Sequence, residues 1–449
     1  MQDIPRSTTI STQQQKIATL ASQAPEMGFT SLNHYIDIEW LHEAYRRTRK
    51  DGAAGVDGQT AEAYAANLEA NLQDLLERAK SGRYRAPAVR RVHIPKGDGS
   101  QTRPIGIPTF EDKILQRAVA MVLEPIYEQD FLPFSYGFRP GRSAHQALKA
   151  LRDQMMSLGG GWILEVDIKA FYDTLDKAHL REFLQRRVRD GALLRMIGKW
   201  LNAGVLEAGN TSYPEAGTPQ GGVISPLLSN VYLHEVVDMW FVRDVKPRLE
   251  GQAFLIRYAD DMVIGFTKEE DARKVMAVLP KRFGKYGLTL HPDKTRLIDF
   301  RRPKAPPDPP GPGGGPKLGT FDLLGFTHYW AKSRNGFWVI KQKTARDRLT
   351  RAIKRIAEWC RMHRHESIHD QHKALARKLQ GHCGYYGITG NSPMLTRFRG
   401  ELLRRWHQWL NRRSQRNDWS WERFLRYLER KPFPAATPVH STYRFAANP

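Results

Sequence analysis

Two apolar runs, residues 254–257 and 262–266, flank the tetrapeptide YADD at residues 258–261. Short apolar runs on either side of a tight break are typical of a β-hairpin, which would place Asp260 and Asp261 at its tip. Adjacent carboxylates at a tight turn repel each other unless a cation lies between them. The hairpin therefore predicts either a cation site or a solvated acidic turn.

A third acid, Asp167, lies near the end of a predicted strand over residues 162–168, WILEVDI. An acid that follows an apolar strand is costly unless it is solvated or paired. Magnesium prefers oxygen ligands, usually one or two carboxylates with substrate phosphates. Asp167, Asp260 and Asp261 could hold two metal ions that activate a hydroxyl and stabilise a leaving pyrophosphate. The alternative for Asp167 is an ordinary strand-end acid.

A Gly- and Pro-rich loop, GTPQGGVISP at residues 217–226, runs into a predicted helix over 227–237. Glycines at such a point let the backbone approach a ligand closely. Upstream, Lys96 and Arg103 flank a turn between two short predicted strands, RVHIP and RPIGIP. Arginine binds a triphosphate as a fork and lysine as a point charge, although each alone would be an ordinary surface cation.

The charge of the chain is strongly positive: 70 Lys and Arg against 47 Asp and Glu give +23 over 449 residues. Residues 341–430 hold 22 basic and 8 acidic side chains, a net of +14. This balance favours a nucleic-acid partner over a membrane surface. Aromatic residues among arginines suit single-stranded or irregular RNA, or else form a helical core beneath a solvated basic face. The tryptophans of this region are Trp359, Trp406, Trp409, Trp419 and Trp421.

Several protein classes are excluded by composition. The two cysteines, Cys360 and Cys383, rule out a disulfide scaffold and a four-cysteine zinc module. No apolar run reaches the length of about 18 residues that a membrane span needs. The first ten residues lack the pattern of a secretory signal. We therefore expect a soluble protein in a reducing compartment.

Composition and periodicity divide the chain into seven segments. They are a flexible N-terminus (1–26), an N-terminal segment (27–90), a mixed helix and strand segment (91–302), a Pro/Gly linker (303–316), a second strand segment (317–343), a helical segment (344–430) and a C-terminal tail (431–449). Within these segments we predict helices over 61–80, 111–129, 177–190 and 270–286, with Asp176 as an N-cap, and strands over 320–325 and 337–341.

Seven ordered motifs carry a resemblance to a known family. They are IPKGDGSQTRPIGIP, YGFRPGRSAHQAL, EVDIKAFYDTL, GTPQGGVISPLLSNVYL, RYADDMVIGF, LTLHPDKT and LLGF. In this order they resemble a reverse transcriptase, specifically the group II intron-encoded reverse transcriptase/maturase. The resemblance spans roughly residues 29–430 and includes GAAGVDGQT, which is similar to the N-terminal extension of that family.

The resemblance implies an α+β fold of the right-hand polymerase type. Residues 27–90 would be the N-terminal extension, and 91–302 the fingers and palm, built from an antiparallel sheet plus helices. Residues 317–343 would end the palm with the primer grip. Residues 344–430 would be the α-helical thumb, called domain X in maturases.

The resemblance also assigns residues. Catalytic metal ligands would be Asp167, Asp260 and Asp261, with the Ile168 carbonyl as a further ligand. They would hold two Mg2+ ions, which Mn2+ could replace. Nucleotide-binding residues would be Lys96, Arg103, Phe171, Tyr172, Gln220 and Lys294. The primer grip would be Leu324 and Gly325, and RNA-binding residues would be Tyr385, Tyr386, Arg404, Arg405, Arg412 and Arg413.

Some of these roles have simpler alternatives. Tyr172 would exclude a ribose 2′-hydroxyl, with Phe171 packed beneath it, or it would merely pack in a turn. Lys294 would lie near the pyrophosphate or be a plain surface lysine. At least one of Tyr385 and Tyr386 is expected in a helical core.

The implied function is an RNA-directed DNA polymerase of a group II intron that also binds its intron RNA as a maturase, supporting splicing and retrohoming. Its partners would be the intron RNA, an RNA template–DNA primer duplex, dNTPs and target DNA, without a membrane; a homodimer is left open. We expect no HNH endonuclease domain, because cysteine pairs are lacking, and a bacterial cytoplasmic location, because no transit-like leader is evident.

Three alternative functions stay open. One is a reverse transcriptase of a defence, retron, diversity-generating or CRISPR-linked system. Another is a splicing factor in which polymerase activity is dispensable. The last is an RNA-dependent RNA polymerase, which Tyr172 opposes because such an enzyme must admit a 2′-hydroxyl.

Overall fold

The computed structural model describes residues 6–96, 101–207, 209–213, 215–217, 221–303, 319–413 and 419–440, without the side chains of 6–9, 96 and 101. The chain divides into two compact units. Unit 1 comprises Met1–Ala147 and Leu164–Leu297, and unit 2 comprises Leu148–Ile163 and Ile298–Pro449. Among the described residues, no helix combines the length and the apolar character that crossing a bilayer requires.

The described helices are α1 (Arg6–Gln23), α2 (Ile38–Arg47), α3 (Ala61–Ala65), α4 (Leu68–Lys80), α5 (Phe110–Asp130), α6 (Ala144–Ser157), α7 (Phe171–Thr174), α8 (Lys177–Arg187), α9 (Gly191–Leu201), α10 (Ser225–Leu233), α11 (Glu269–Gly284), α12 (Arg346–Met362), α13 (Ile368–Tyr386), α14 (Ser392–Leu410) and α15 (Trp421–Arg430). After α10 the chain continues through two π-helical turns, His234–Asp238 and Phe241–Val245.

The described strands are β1 (Val89–Lys96), β2 (Gln101–Ile107), β3 (Trp162–Val166), β4 (Val205–Glu207), β5 (Asn210–Ser212), β6 (Ala253–Tyr258), β7 (Asp261–Phe266), β8 (Arg296–Asp299), β9 (Phe321–Leu323), β10 (Phe326–Lys332) and β11 (Trp338–Thr344). They form three sheets, with strand orders β2-β1-β4-β5, β6-β7-β3-β8 and β11-β10-β9. The mixture of helices and largely antiparallel sheets agrees with the α+β fold expected for a reverse transcriptase.

The long helix α5 forms the centre of unit 1, and α1 and α2 pack against it. Thirteen of its residues are buried, because apolar side chains cover most of its circumference rather than one stripe. Thr109 caps the helix, accepting a hydrogen bond from the Asp112 amide at 3.2 Å. The helix is therefore the buried element against which α1 and α2 pack.

The prediction of a flexible N-terminus over residues 1–26 is wrong for the described part. Residues 6–23 form α1, whose Ile10, Ile17 and Ala21 are buried on one face. The buried Arg187 side chain donates hydrogen bonds to the carbonyls of Ala21, Ala24, Pro25 and Met27. These bonds hold the C-terminal end of the helix in place. The polar composition of α1 concealed this narrow apolar face.

Other predicted boundaries change in smaller ways. The helix predicted over 61–80 is interrupted between α3 and α4, where Asn67 has the non-helical angles φ −129° and ψ 43°. Asp176 is the N-cap of α8, accepting from the His179 amide at 2.8 Å, as predicted. The predicted linker 303–316 lies outside the described residues except for residue 303.

Unit 2 has its own helical core, in which Trp406 is fully buried against Phe424 at 5.2 Å between ring centroids. Trp359, Trp409 and Trp419 pack partly buried against the same core, and Trp421 is 44% exposed. The predicted tail after residue 431 is incorporated into this core through the buried Phe433. These tryptophans therefore serve mainly packing.

Candidate active site

The β6–β7 hairpin ends in a two-residue turn, Ala259-Asp260, since Tyr258 pairs with Asp261. Ala259 has φ +56°, a left-handed conformation that costs a residue with a Cβ about 1–3 kcal/mol. Asp260 is half-buried, and Asp261, the first residue of β7, is exposed. The turn thus places two carboxylates at the sheet edge in different environments.

Asp167 follows β3, the strand next to β7 in the sheet. Its carbonyl accepts from the His291 amide at 2.8 Å, and the Lys169 amide donates to Thr289 at 2.8 Å. These two bonds flank the bridge between Ile168 and Leu290. The backbone around Asp167 is therefore fixed on both sides.

The Asp167 carboxylate forms an ion pair with Lys294, whose Nζ lies 3.1 Å from its Oδ2. The lysine side chain is 53% exposed and the aspartate side chain 31%. Lys294 thus occupies the place beside a predicted metal ligand, rather than standing free as a plain surface lysine.

Asp167 and Asp260 are close enough to act on each other. Burial raises the pKa of Asp260, and the Asp167 carboxylate raises it further, whereas the Arg103 and Arg257 guanidinium groups lower it. Two acids from separate strands are therefore held together against their mutual repulsion, with two cations nearby.

Tyr172 lies at the same place, in the short helix α7 that follows Asp167. Burial raises the pKa of its hydroxyl, and a hydrogen bond with Ser229 lowers it. The Asp260 charge also raises this pKa, whereas the Arg103 charge lowers it. Phe171 is buried beneath, with its ring centroid 5.3 Å from that of Tyr172. The half-buried Tyr172 ring consequently stands beside the acidic pair on a packed base.

The glycine-rich loop reaches this site from two sides. A Cβ on Gly217 would lie 2.8 Å from the Tyr172 carbonyl oxygen, and one on Gly221 would lie 2.6 Å from the Gly106 carbonyl oxygen of β2. Both glycines have positive φ, +91° and +120°. Only residues without a Cβ allow these close approaches, so Gly217 packs against α7 and Gly221 against β2.

The structure describes part of the predicted nucleotide-binding set. Gln220 and the side chain of Lys96 lie outside the described residues. Arg103 is exposed on β2, opposite Ile94, and its charge acts on Asp260 and Tyr172. Arg103, the described member of the predicted basic clamp, therefore interacts with the acidic pair.

A buried network behind the turn was missed from the sequence. Arg257, fully buried, pairs with the equally buried Asp238 at 2.6 and 2.8 Å. It also donates to the Asn230 amide oxygen at 2.9 Å and to the Ala259 carbonyl at 3.2 Å. An arginine inside the apolar run FLIRY was the available signal, because a buried cation requires a buried partner.

The donor set at the turn fits a divalent cation. Within the described ranges, no three His, Cys, Asp or Glu side chains are grouped as a complete metal site. The acids that are brought together, Asp167 and Asp260, offer carboxylate oxygens whose repulsion a cation would relieve. Hard cations such as Mg²⁺ commonly bind one or two carboxylates and take substrate phosphates as the remaining ligands.

In unit 2, the predicted primer-grip residues form a tight turn rather than the end of a strand. Leu324 (φ +51°) and Gly325 (φ +79°) connect β9 and β10, whose Leu323 and Phe326 pair. The Tyr385 hydroxyl donates to the Leu324 carbonyl at 2.9 Å. The strand predicted over 320–325 is therefore wrong at its end, because the chain reverses there.

The RNA-binding residues predicted in unit 2 differ in accessibility. Tyr386 is half-buried, with its ring 5.2 Å from Phe326, so it belongs to the core rather than to an open stacking surface. Tyr385 is 36% exposed. The four arginines have local partners: Arg404 and Arg405 pair with Glu401, Arg412 lies over the Trp409 ring and Arg413 donates to the Glu366 carbonyl.

Comparison with known proteins agrees with this geometry. Residues 94–328 match the family described as reverse transcriptase (RNA-dependent DNA polymerase). The protein YkfC of Escherichia coli is 36% identical over 328 residues, covering 64% of this chain and 84% of YkfC. The matched family segment contains every residue of the acidic site described above.

Intron-encoded proteins are also among the relatives. The group II intron-encoded protein LtrA of Lactococcus lactis is 38% identical over 231 residues, 50% of this chain and 37% of LtrA. The Arabidopsis thaliana protein named "Nuclear intron maturase 2, mitochondrial" is 29% identical over 233 residues, which cover 43% of this chain and 30% of that protein. Since the family match covers more than half of its length, the chain belongs to the reverse transcriptase family of RNA-dependent DNA polymerases.

Proposed function

We propose that this chain extends a DNA primer along an RNA template on behalf of a group II intron, and that it binds the RNA of that intron as a maturase. The observation that carries the polymerase part is the convergence of Asp167, Asp260, Arg103 and Tyr172 at one sheet edge within the family match. Each of these groups has a separate task in nucleotidyl transfer.

Asp167 and Asp260 would hold the divalent cations, with Asp261 and the Ile168 carbonyl as further oxygen ligands. Bound at these oxygens, Mg²⁺ would lower the pKa of a primer hydroxyl and offset negative charge on the phosphates. The protein contributes by keeping the two carboxylates together through β3 and the β6–β7 turn. Such fixed groups need no rearrangement when charge develops during the reaction.

Arg103 would bind the phosphates of the incoming nucleotide, since a guanidinium fork matches phosphate oxygens. Lys96 and Gln220 are proposed partners in this task. Lys294, now paired with Asp167, would be displaced towards the pyrophosphate when metal and nucleotide bind. Its ammonium group could then donate a proton to that leaving group.

Tyr172 would select the sugar of the nucleotide. Its ring is supported by the buried Phe171, and its hydroxyl is tied to Ser229, so it cannot readily turn aside. A 2′-hydroxyl directed at this ring would clash, whereas a deoxyribose would fit. This assignment explains why the product would be DNA.

The maturase part of the proposal rests on charge and on the relatives. Residues 341–430 carry 22 basic against 8 acidic side chains, on helices that form a separate core. Exposed arginines on such helices neutralise phosphates without reading sequence. LtrA is named as a group II intron-encoded protein and the Arabidopsis relative as an intron maturase.

Sugar selection tests the proposed function. We expect wild-type chain to extend a DNA primer on an RNA template with dNTPs, and to use rNTPs poorly. Tyr172→Ala should admit rNTPs, measured as the ratio of kcat/KM for a dNTP and the matching rNTP. Tyr172→Phe is the control: it loses the Ser229 hydrogen bond but keeps the ring and its packing on Phe171, so most of the discrimination should persist. Unchanged discrimination in Tyr172→Ala would remove this assignment.

A further inference from the structure

Phe138 combines two unfavourable properties. Its side chain is 57% exposed, and its backbone has φ +57°, the left-handed region that residues with a bulky side chain avoid. A phenylalanine neither gains burial nor suits this conformation. Strained residues of this kind persist where the surrounding structure holds them, and they cluster at functional sites.

The backbone around Phe138 is fixed to the catalytic hairpin. The Tyr136 amide donates to the Arg257 carbonyl at 2.8 Å, and the Arg257 amide donates to the Phe134 carbonyl at 3.0 Å. A Cβ on Gly137 would lie 2.3 Å from the Ala259 nitrogen. The segment that precedes Phe138 is therefore in direct contact with the turn that carries Asp260.

The residue that follows is also held. Arg139 is buried and donates to the carbonyls of Leu132 and Ser135 at 2.9 and 2.8 Å. Its guanidinium also pairs with Glu128 at 2.9 Å. With both neighbours fixed, Phe138 cannot relax by moving its backbone, so its ring is presented in a defined position.

That position is beside the catalytic turn. The Phe138 ring centroid lies 6.3 Å from that of Tyr258, the residue that precedes Ala259-Asp260. Arg103, proposed to bind the incoming nucleotide, lowers the pKa of Asp260, and the Asp260 charge in turn raises the pKa of the Tyr172 hydroxyl. Phe138 is associated instead with Tyr258, at the base of the turn.

We propose that the Phe138 ring stacks on a nucleotide at the growing end of the template–primer duplex, and so positions the primer terminus at Asp260. An exposed rigid aromatic ring in a strongly basic chain suits a nucleobase or sugar, because base–aromatic stacking tolerates every base. The proposal rests on the polymerase function proposed above.

The experiment measures binding of a fluorescent RNA template–DNA primer hybrid to the full chain by anisotropy, without dNTPs. Phe138→Asn removes the ring and keeps a residue that tolerates positive φ. We expect its Kd for the hybrid to rise roughly 5- to 160-fold, the range for loss of one stacked base. Phe138→Trp keeps an aromatic ring and should bind the hybrid as the wild type does. The control is Val278→Asn, at an exposed apolar position on α11, which should leave Kd unchanged.

Thermal unfolding separates a direct contact with nucleic acid from a structural role. Phe138→Gly relieves the positive φ, so its unfolding midpoint should equal or exceed that of wild type while hybrid binding is weakened. A lower midpoint together with weak binding in both Phe138→Gly and Phe138→Trp would overturn the proposal in favour of a packing role.

Abasic nucleotides identify the strand. An abasic site at the primer terminus, or at the template nucleotide opposite, should weaken wild-type binding and cancel the difference between wild type and Phe138→Asn. Wild-type affinity in Phe138→Asn, or a defect that neither abasic site cancels, would overturn the proposal. Primer extension by wild type tests the polymerase function separately, so failure of the two proposals gives different results.

Discussion

Asp260 occupies a position that opposes its own charge, since both burial and the neighbouring Asp167 raise its pKa. Such a carboxylate binds a proton at a pH where an ordinary aspartate would have lost it. A divalent cation competes with that proton for the same oxygens. Cation binding and pH dependence are therefore coupled at this single residue. Arg103 enters the coupling because it lowers the pKa of Asp260.

The first prediction concerns this coupling. Arg103 lowers the pKa of Asp260, so Arg103→Gln should raise that pKa further. The acid limb of the pH profile of kcat, measured at saturating dNTP, should then move to higher pH, because a larger fraction of Asp260 is protonated. Arg103→Lys keeps the charge and should keep the limb. A limb that stays in place in Arg103→Gln would contradict the coupling.

The ion pair between Lys294 and Asp167 gives a second prediction. Lys294 neutralises a metal ligand, so Lys294→Gln should lower the Mg²⁺ concentration for half-maximal extension. A partly exposed pair is worth about 0.5–1 kcal/mol, which corresponds to about a two- to fivefold decrease. Titrating extension rate against Mg²⁺ checks it, with Lys294→Arg as the charge-retaining control. An unchanged Mg²⁺ requirement would show that the pair does not compete with metal.

At the scale of elements, the β6–β7 hairpin depends on a support that it does not contain. Arg257 within β6 reaches Asp238 and Asn230, and Asn230 in turn donates to the Gly137 carbonyl at 2.7 Å. Three separate segments thus meet behind the Ala259-Asp260 turn. The rigidity of the turn comes from these buried polar contacts in addition to its own hydrogen bonds.

Removing one partner of the buried pair should be strongly destabilising. Asp238→Asn leaves the Arg257 charge buried, and loss of a single partner typically costs about 3–5 kcal/mol of unfolding free energy. The double variant Arg257→Met/Asp238→Leu removes both charges, so stability in urea denaturation should largely recover. Its kcat should stay low, because the hydrogen bond to the Ala259 carbonyl is absent.

Recovery of both stability and kcat in the double variant would contradict a positioning role for Arg257. Binding of the RNA template–DNA primer hybrid is the internal reference. It should be retained in the double variant, because the proposed duplex contacts remain in place.

Sequence reasoning identifies elements better than their connections. The hairpins at 89–107 and 253–266 and the helices α5, α8 and α11 follow from periodicity and caps close in sequence. The Arg257–Asp238–Asn230 network joins residues up to 27 positions apart. The Arg187 side chain forms hydrogen bonds with the end of α1, although the two are more than 160 positions apart in the sequence. Such partners are selected by tertiary packing, which local patterns do not encode.

Reading the site from sequence had the same limit. Asp167, Asp260, Arg103 and Tyr172 are recognisable as motifs, and the structure brings them together. Tyr386 packs against a core, as expected for at least one of the two tyrosines. The chain reversal at Leu324 was missed, because it depends on neighbours in the helical unit. Phe138 was passed over within YGFRPGR, since its exposure and positive φ are visible only in three dimensions.

At the scale of the whole molecule, charge and chemistry are separated along the chain. Unit 1 holds the acidic pair and its cations, whereas unit 2 holds the basic helical segment 341–430. Phosphate neutralisation releases counterions, so RNA affinity should decrease steeply with salt. The helical segment can therefore supply affinity without sharing residues with the catalytic pair.

Salt dependence tests this division. Arg404→Gln/Arg412→Gln should reduce the slope of log Kd against log salt for single-stranded RNA by about 1.4, because each phosphate that is no longer neutralised accounts for about 0.7. The matched control is Arg273→Gln, a 69% exposed arginine on α11 that pairs with Glu269. An unchanged slope in the double variant would remove these arginines from the RNA surface.

The central claim, that the acids of the β6–β7 turn catalyse RNA-templated DNA synthesis, is tested most directly by primer extension. Wild type, Asp260→Asn and the control Asp244→Asn, a 53% exposed carboxylate, would be compared on one RNA template with dNTPs and Mg²⁺. We predict extension by wild type and the control, none by Asp260→Asn, and equal RNA binding by all three. Extension by Asp260→Asn at the wild-type rate would contradict the account.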